Sequence, residues 1–446
     1  MSTANERKGS AAEVGAAFLK LGLTSFGGPI AHLGHFRREF VERRGWLDEE
    51  HFGQLLGLCQ FLPGPASSQL GFSLGLLRAG WPGAFAAFVG FTLPSALLMF
   101  AFAVSNEFLS GALGGSAVHG LKLVAVAVVA QGVLGMARTL TPDPPRAMMA
   151  AVSAGLVVVS GSAWMQLVVV AGGAVLGPWL CRQTSGSAAV ASATSGLATF
   201  PSATVGTATS GSPAMSPETS RSAASGSAIP ASATPRAPST LPYGRRLGAA
   251  LLLSFGLLLT LALLIAPTTS PTGQVAGAFF RAGALVFGGG HVVLPLLEHS
   301  VVDPGWIDNG TFLAGYGAAQ ALPGPLFTFA AFLGERLHYG PGGISGALVG
   351  LLAIFLPGFL IVAGVLPYWQ TLSRQETTAR SLAGVNAAVV GLLAAALYDP
   401  VWVSAVKGPS DFAIALLGFV LLVSWKWPAW AAVLWCVLAS TLRGLF

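Results

Sequence analysis

Long apolar stretches separated by short polar segments follow one another along most of this chain. In the first half they cover residues 14–34, 51–77, 82–105, 117–137, 147–160 and 163–181. In the second half they cover residues 246–266, 274–297, 311–334, 341–366, 381–398, 410–425 and 427–443. A helix that crosses a bilayer needs about 20 residues, so the pattern predicts an all-α integral membrane protein with about 10–13 membrane segments. The short stretches 147–160 and 410–425 fit tilted, re-entrant or half-spanning helices.

The composition supports lipid as the solvent of this chain. It is 53% hydrophobic and 9% charged, with a mean hydropathy of +0.70. Ordinary soluble domains are about 25% charged, so this chain could not cover a surface that faces water. The formal net charge of +6 fits basic cytoplasmic loops better than nucleic-acid binding, because the basic residues form no stripe with interleaved aromatic residues.

Three motifs occur twice, in the same order and about 260 residues apart, and both copies contain helix breakers. The first copy reads Phe26-Gly27-Gly28-Pro29, Trp46-Leu47-Asp48 and Gln60-Phe61-Leu62-Pro63-Gly64-Pro65. The second copy reads Phe287-Gly288-Gly289-Gly290, Trp306-Ile307-Asp308 and Gln320-Ala321-Leu322-Pro323-Gly324-Pro325. A membrane tolerates broken helices only where the freed backbone is buried in protein or lines a cavity. The sequence therefore predicts two homologous halves with broken or re-entrant helices at matching places.

The chain divides into three regions on this basis. Residues 1–182 form the first repeat, and residues 246–446 form the second repeat with an extra leading helix at 246–266. Between them, residues 183–245 are mostly Ser, Ala, Thr, Gly and Pro, which is typical of a disordered linker.

The charges of the loops indicate an inverted repeat. Loop 35–50 contains four arginines, whereas the equivalent loop 298–310 contains no Lys or Arg. The bias reverses after the third stretch, where 106–116 has no Lys or Arg and 367–380 has two arginines. Since Lys and Arg mark the cytoplasmic side, equivalent loops are expected on opposite faces of the membrane.

The paired breaks are the candidate binding site for a tetrahedral dianion. A helix N-terminus offers free N–H groups and a partial positive charge, so broken helices that meet can bind an anion without many basic side chains. A single break is more often a packing kink, but the symmetric pair favours a site. The predicted ligands from the breaks are Phe26, Gly27, Gly28, Pro29, Gln60, Pro63, Gly64, Pro65, Phe287, Gly288, Gly289, Gly290, Gln320, Pro323, Gly324 and Pro325.

Two matched cations extend this site. Lys20 precedes the first break and Arg281 precedes the second at the same distance, each inside an apolar run. A cation at the centre of a membrane helix costs roughly 2.5–3.5 kcal/mol on insertion scales, so we interpret the pair as ligands of an anion. The alternative is that each side chain snorkels toward the lipid headgroups. His119, Arg380 and Asn386 are weaker candidates.

Other polar residues near the breaks have ordinary structural interpretations. Asp48 and Asp308 are predicted to cap the helices that follow them. The glutamines, and the hydroxyls of Ser67, Ser68 and Thr328, could bind the oxyanion or hydrogen-bond the carbonyls that proline frees. His32 and His291 could carry a coupled proton, but we expect structural histidines there.

The duplicated motifs resemble those of the chromate transporter family in its long, two-domain form. The resemblance covers most of the chain outside the linker and rests on F-G-G-[PG], W-[LI]-D and Q-x-L-P-G-P in this order. It implies a multi-pass protein of the bacterial inner membrane that expels chromate with the proton-motive force and confers chromate resistance, with the linker in the cytoplasm. The second copy departs from the pattern at Gly290, where the first has Pro29.

Several alternatives remain open from the sequence. The substrate could be sulfate or another tetrahedral oxyanion, and broken helices could also form an anion channel. An enzyme is disfavoured, since there is no CxxC pair, haem-type histidine pair or nucleotide-binding glycine loop, and no cofactor or metal is expected. Chromate and the lipid bilayer are the expected partners, nucleic acid is not, and a homodimer is open.

Overall fold

The structure, a computed structural model, describes residues 9–26, 28–105, 112–160, 163–181, 241–264, 270–287, 292–369 and 376–444. These residues are helical, with turns and loops between the helices. Most of the predicted linker, residues 183–240, lies outside them.

The first half contains seven α-helices within the described residues. They are α1 (Ala11–Thr24), α2 (Gly28–Phe36), α3 (Glu49–Phe61), α4 (Ala66–Ser105), α5 (Ala112–Leu140), α6 (Pro144–Ser160) and α7 (Ala163–Leu180). A π-helical segment, Arg37–Arg43, extends α2, and α4 bends at Ala79 and Gly80, whose backbone angles are not helical.

The second half repeats this order behind one additional helix. Its helices are α8 (Arg245–Leu264), α9 (Pro271–Ala284), α10 (Val293–Val301), α11 (Asn309–Ala321), α12 (Phe329–Arg336), α13 (Gly343–Val365), α14 (Glu376–Ala396), α15 (Pro409–Val423) and α16 (Ala429–Arg443). A short 3-10 turn, Leu326–Thr328, precedes α12, and a π-helical turn prolongs α14.

Five helices among the described residues are long and apolar enough to cross a membrane. They cover Ala66–Ser105, Gly114–Leu140, Arg245–Leu264, Gly343–Tyr368 and Ala379–Ala405. Shorter apolar helices cover Pro144–Ser160, Met165–Leu180, Pro409–Val423 and Ala429–Arg443, in agreement with the short stretches in the sequence. The prediction of an all-α membrane protein in two halves is therefore confirmed.

Matching local signals start matching helices. Asp48 caps α3 through a 2.8 Å hydrogen bond from the His51 N–H, and Asp308 caps α11 through a 2.8 Å bond from the Thr311 N–H. Both caps were predicted from the W-[LI]-D motif, and both satisfy a free N–H group of the first helical turn.

The two halves also share a glycine contact, between α1 and α4 in the first half and between α9 and α13 in the second. A Cβ on Gly22 of α1 would lie 2.7 Å from the Gly90 carbonyl oxygen and 2.8 Å from that of Phe91, so only glycine lets α1 approach α4 this closely. Gly283 of α9 meets the carbonyl of Ile354 on α13 in the same way. This contact aligns Phe91 with Ile354, and it therefore aligns Leu93-Pro94 with Leu356-Pro357.

The last two helices of each half pack on a helix of the other half. The hairpin α6–α7 of the first half packs on α14 of the second, with Gly173 against Gly384. The hairpin α15–α16 of the second half packs on α5 of the first, with Gly120 against the Cys436 carbonyl. Each half therefore completes the core of the other.

The additional helix α8 lies against α13 and α9. The Tyr243 hydroxyl donates a 2.6 Å hydrogen bond to the Ala363 carbonyl, and the Tyr368 hydroxyl donates a 2.7 Å bond to the Arg245 carbonyl. Its surface is otherwise largely exposed and apolar, with Leu253, Leu257 and Leu264 each at least 70% exposed. This surface fits contact with acyl chains.

Candidate functional site

The helices break where the duplicated motifs predict. In the first half, α1 ends before Ser25 and α2 starts at Gly28, whose φ of +76° favours glycine. A Cβ on Gly28 would meet no described atom within 4 Å, so there is room beside this break. The second half has the same interruption between α9 and α10, although Gly288, Gly289 and Gly290 lie outside the described residues, as does Gly27.

Each Pro-Gly-Pro segment is hydrogen-bonded to the glycine break of the other half. The Gly64 N–H donates to the Val286 carbonyl at 2.7 Å, and the Gly324 N–H donates to the Ser25 carbonyl at 3.0 Å. Val286 and Ser25 hold the same position, one residue before the two Phe-Gly-Gly motifs. The bonds are therefore reciprocal, as a pseudo-two-fold relation between the halves requires.

We name these two contacts the Gly64 crossing and the Gly324 crossing. The Gly64 crossing consists of Pro63, Gly64, Gln69, Val286, Val293, Phe355 and Gly358. The Gly324 crossing consists of Ser25, His32, Phe91, Thr92, Ser95 and Gly324. Their central glycines have φ values of +120° and +99°, in the left-handed region that residues with a Cβ disfavour.

Both crossings are closely packed against a proline-containing helix of the opposite half. A Cβ on Gly64 would lie 3.0 Å from the Gly358 Cα, next to Pro357 on α13. A Cβ on Gly324 would lie 2.6 Å from the Ser95 Oγ, next to Pro94 on α4. Equivalent positions beside the prolines of α4 and α13 thus contact equivalent glycines.

The Gly324 crossing is polar. The Ser25 carbonyl accepts a second contact from the His32 ring, whose Nε2 lies 3.1 Å away. The Ser95 hydroxyl donates to the Thr92 carbonyl at 3.1 Å, and the His32 ring packs edge-on against Phe91. Ser25, His32, Thr92 and Ser95 are all 2% exposed or less. The hydroxyls of Ser25 and Thr92 and the Nδ1 of His32 have no hydrogen-bond partner among the described residues.

The Gly64 crossing carries apolar side chains at the equivalent positions. Val286 stands for Ser25, Val293 for His32, Phe355 for Thr92 and Gly358 for Ser95. The polar side chain here is the fully buried Gln69, whose Nε2 donates to the carbonyls of Pro63 at 2.8 Å and Gly358 at 3.0 Å. The equivalent of Gln69 in the second half is Phe329. The two crossings therefore share a backbone but differ in side-chain chemistry.

The predicted glutamines are placed differently in the two halves. Gln60 is exposed at the end of α3. Phe26, at the first break, is 38% exposed. Gln320 is only 9% exposed, and its Nε2 has no hydrogen-bond partner among the described residues. In the first Pro-Gly-Pro segment the Pro63 carbonyl accepts a hydrogen bond from Gln69. In the second, the Pro325 carbonyl accepts a 2.8 Å hydrogen bond from the Thr328 hydroxyl.

The structure places the two predicted cations in other contacts. The Lys20 ammonium lies 3.5 Å from the Glu39 carboxylate, which also binds Arg43 and Arg44 in the loop after α2. Burial opposes ionisation of Glu39, but Arg44, Lys20 and Arg43 lower the pKa of its carboxyl below the usual value. Arg281 donates a 3.0 Å hydrogen bond to the Ala262 carbonyl at the end of α8. Their role as anion ligands stays a prediction.

The weaker candidates lie on α5 and α14. The Nε2 of His119 is 2.9 Å from the buried Asp411 carboxylate, which Arg443 also contacts, beside a cavity of about 490 Å³. Arg380 is near the start of α14, where its carbonyl lies against Gly177 of α7. The Asn386 Oδ1 is buried on the same helix and has no partner among the described residues.

Sequence reasoning missed Ser25, Gln69, Thr92 and Ser95. Their signal was present, because a hydroxyl or amide inside an apolar stretch must find a partner or bind a ligand. The distances along the chain hid their connection to the breaks of the other half.

Comparisons with known proteins agree with the repeat. The sequence model of the chromate transporter family matches residues 12–178 and 273–441, which are the two halves. The chain is 28% identical to the chromate transport protein of Pseudomonas aeruginosa, over 92% of this chain and 86% of the relative. It is 28% identical to the probable chromate transport protein of Synechococcus elongatus, over 92% and 88%, and 25% identical to the chromate transport protein of Cupriavidus metallidurans, over 92% and 87%. No solved structure matches the chain.

The family match covers both halves and the breaks in each of them, and the helices are those of a membrane protein. The chain therefore belongs to the chromate transporter family.

Proposed function

We propose that this protein transports chromate across the bacterial inner membrane and that the two crossings form the binding site. The observation that carries the proposal is the reciprocal pair of hydrogen bonds, Gly64 to Val286 and Gly324 to Ser25. Each bond joins one Pro-Gly-Pro interruption to the Phe-Gly-Gly interruption of the other half, in the interior of the protein. Such meeting points of broken helices, at the interface of two repeats, are where secondary transporters bind their substrates.

The chemistry of this region suits a dianion. Main-chain N–H groups at the start of α2 and α4 offer hydrogen bonds and the positive end of the helix dipole. The hydroxyls of Ser25 and Thr92, which have no partner in the part of the chain that the structure describes, are further donors in a buried environment, where a hydrogen bond to a charged group is strong. Sulfate would meet the same donors, so the proposal covers chromate first and tetrahedral dianions as a class.

The direction that we propose is efflux, driven by the proton-motive force, and its consequence is chromate resistance. A membrane potential that is negative inside is worth roughly 2.3 kcal/mol per charge per 100 mV, and it pushes a dianion outward. The proposed topology is inverted, with loop 35–50 and the linker 183–245 on the cytoplasmic side.

Everted inner-membrane vesicles test this function. Energised vesicles that contain the protein should accumulate chromate against its gradient, a protonophore should stop the accumulation, and excess sulfate should reveal any competition. The chromate inside should stay unreduced. Transport only down the gradient would indicate a channel, and loss of total chromate would indicate reduction.

The inversion has its own test. A single cysteine in loop 35–50 and one in loop 298–310 should react with an impermeant thiol reagent from opposite sides of the membrane. Reaction from the same side would contradict the inverted repeat.

A further inference from the structure

We propose that His32 takes up one proton together with the oxyanion, so that transport by this protein is linked to protonation at the Gly324 crossing. The inference rests on the proposed function and adds the group that couples substrate to protons. It also revises the expectation, from the sequence, that His32 has only a structural role.

The geometry places His32 at the contact between the halves. Its Nε2 shares the Ser25 carbonyl with the Gly324 N–H, so the ring and the tip of the second Pro-Gly-Pro segment are connected through that carbonyl. A carbonyl only accepts, so Nε2 carries the hydrogen and neutral His32 presents Nδ1 as an acceptor. That Nδ1 is buried and has no partner among the described residues. A proton added there would turn it into a donor.

Among the described residues, no carboxylate interacts with His32 that could balance the charge of a proton added to Nδ1. The charged groups on the neighbouring helices α1 and α4 are engaged elsewhere, with Glu13 bound to Arg78 and Lys20 bound to Glu39. His35 is one turn along α2, and Tyr316, on the helix before Gly324, hydrogen-bonds with Gln320. Protonation of His32 alone would therefore bury an uncompensated charge, which is strongly unfavourable.

A dianion at the crossing removes this penalty. The protonated ring would donate from Nδ1 to an oxyanion oxygen, and the Ser25 hydroxyl could donate to another. Proton and anion then favour each other's binding by the same factor, which is a thermodynamic necessity. The bound pair carries one net negative charge, so a potential that is negative inside drives it outward with about half the force that it exerts on the dianion alone. The membrane potential, rather than the pH gradient, is then the component of the proton-motive force that drives efflux.

The residues of the Gly64 crossing that are equivalent to His32 and Ser25 indicate that only one proton is taken up. Val293 replaces His32, and Val286 replaces Ser25, so no titratable side chain faces the Val286 carbonyl at that position. The linkage should therefore involve one proton per protein, contributed by the Gly324 crossing.

Proton uptake on chromate binding tests this directly. Purified protein in weakly buffered detergent solution, at a pH where free chromate is the dianion, is mixed with chromate while a pH indicator is followed. We expect uptake of about one proton per chromate bound, and an affinity that falls with rising pH by at most about tenfold per pH unit. Chromate binding without proton uptake would overturn the inference and leave the proposed function standing.

Variants assign the proton to its residue. His32→Gln keeps an amide donor for the Ser25 carbonyl, and we expect it to bind chromate without proton uptake and with a flat pH profile. The control, His35→Gln on the same helix, should behave like the original protein. Uptake that persists in a folded His32→Gln, or that is lost in His35→Gln alone, would overturn the assignment. If the original protein binds no chromate at all, the proposed function fails and the inference fails with it.

Discussion

The Gly64 and Gly324 crossings have the same backbone and different chemistry. In both, a glycine with positive φ donates its N–H across the repeat interface to the residue before a Phe-Gly-Gly motif. Around Gly324 the equivalent positions are Ser25, His32, Thr92 and Ser95, whereas around Gly64 they are Val286, Val293, Phe355 and Gly358. The comparison teaches that the two halves preserve the geometry that joins them but differ in side-chain chemistry. Among the described residues, two hydroxyls and an imidazole nitrogen lack hydrogen-bond partners at the Gly324 crossing, whereas only the Gln69 Oε1 lacks one at the Gly64 crossing.

The division follows from what each feature requires. A positive φ and a close helix contact allow only glycine, so the backbone of a crossing permits little change. The side chains around it need only fill space or find partners. One crossing can therefore be held mainly by packing, while the other supplies the side chains that we propose for binding the ligand and the proton. Four sets of variants can break or sharpen this comparison.

The largest effect is expected where the crossings are the same. Gly64→Ala and Gly324→Ala each force a Cβ into the left-handed region, at a cost of about 1–2 kcal/mol, and into contacts of 2.8 Å or less with Gln69 or Ser95. Chromate transport should fall by more than about tenfold in both, with a lower melting temperature. Transport in vesicles and thermal melting in detergent would measure this.

Gly57→Ala on α3 is the matched control for these glycines. Its Cβ would meet no described atom within 4 Å, and alanine is favoured over glycine inside a helix, so its stability should rise slightly. Normal activity in Gly64→Ala or Gly324→Ala would show that the crossings are not needed for transport.

The next effect concerns stability at the Gly64 crossing. Gln69→Met removes the donor that serves the Pro63 and Gly358 carbonyls and leaves two buried acceptors unpaired, at about 1–3 kcal/mol each. We expect a clear fall in melting temperature. Gln60→Met replaces the exposed glutamine of the repeated motif, and it should change the free energy of unfolding by less than about 0.5 kcal/mol. Equal effects would contradict the assigned role of Gln69.

At the Gly324 crossing, stability and binding should respond in opposite directions. Ser25→Ala removes a buried hydroxyl that has no hydrogen-bond partner among the described residues, so the folded state should be unchanged or more stable. If that hydroxyl binds the oxyanion, chromate affinity should fall about tenfold, or 1.4 kcal/mol. Equilibrium binding and thermal melting on the same samples separate the two outcomes.

Val286→Ser supplies the comparison for that variant. It adds a hydroxyl at the equivalent place in the apolar crossing, where we expect lower stability and no gain in chromate affinity. A gain equal to the loss in Ser25→Ala would show that the two crossings are interchangeable and would remove the asymmetry.

The smallest effect is expected for Lys20→Ala. Lys20 is half exposed and paired with Glu39, and ion pairs of this kind contribute about 0–1 kcal/mol. Both the KM for chromate and the transport rate at saturating chromate should stay close to those of the original protein. A strongly raised KM for chromate, with normal insertion, would instead establish Lys20 as the anion ligand that the sequence predicts.

The sequence revealed those features of the fold that depend on local signals. Apolar length predicted the helices, aspartate before a polar turn predicted the caps at Asp48 and Asp308, and paired glycines and prolines predicted the breaks. The repeat also predicted that the breaks belong together. These inferences needed only neighbouring residues or the comparison of two copies.

The partners across the interface could not be predicted in this way. Nothing near Gly64 indicates that its N–H binds Val286, and Gln69 rather than the repeated Gln60 meets the freed carbonyl. Lys20 and Arg281 are equivalent in sequence, yet one contacts Glu39 and the other the end of α8, which has no counterpart in the first half. Such contacts depend on how whole helices pack, which single-sequence patterns do not contain.

The most direct test of the central claim is a cryo-electron microscopy map of the protein with chromate bound, compared with one recorded without it. We predict density for a tetrahedral anion between the two crossings, within hydrogen-bond distance of the Ser25 hydroxyl and of main-chain N–H groups at the helix breaks. Chromate bound only elsewhere, for example in the cavity beside His119 and Asp411, with the crossings unoccupied, would contradict it.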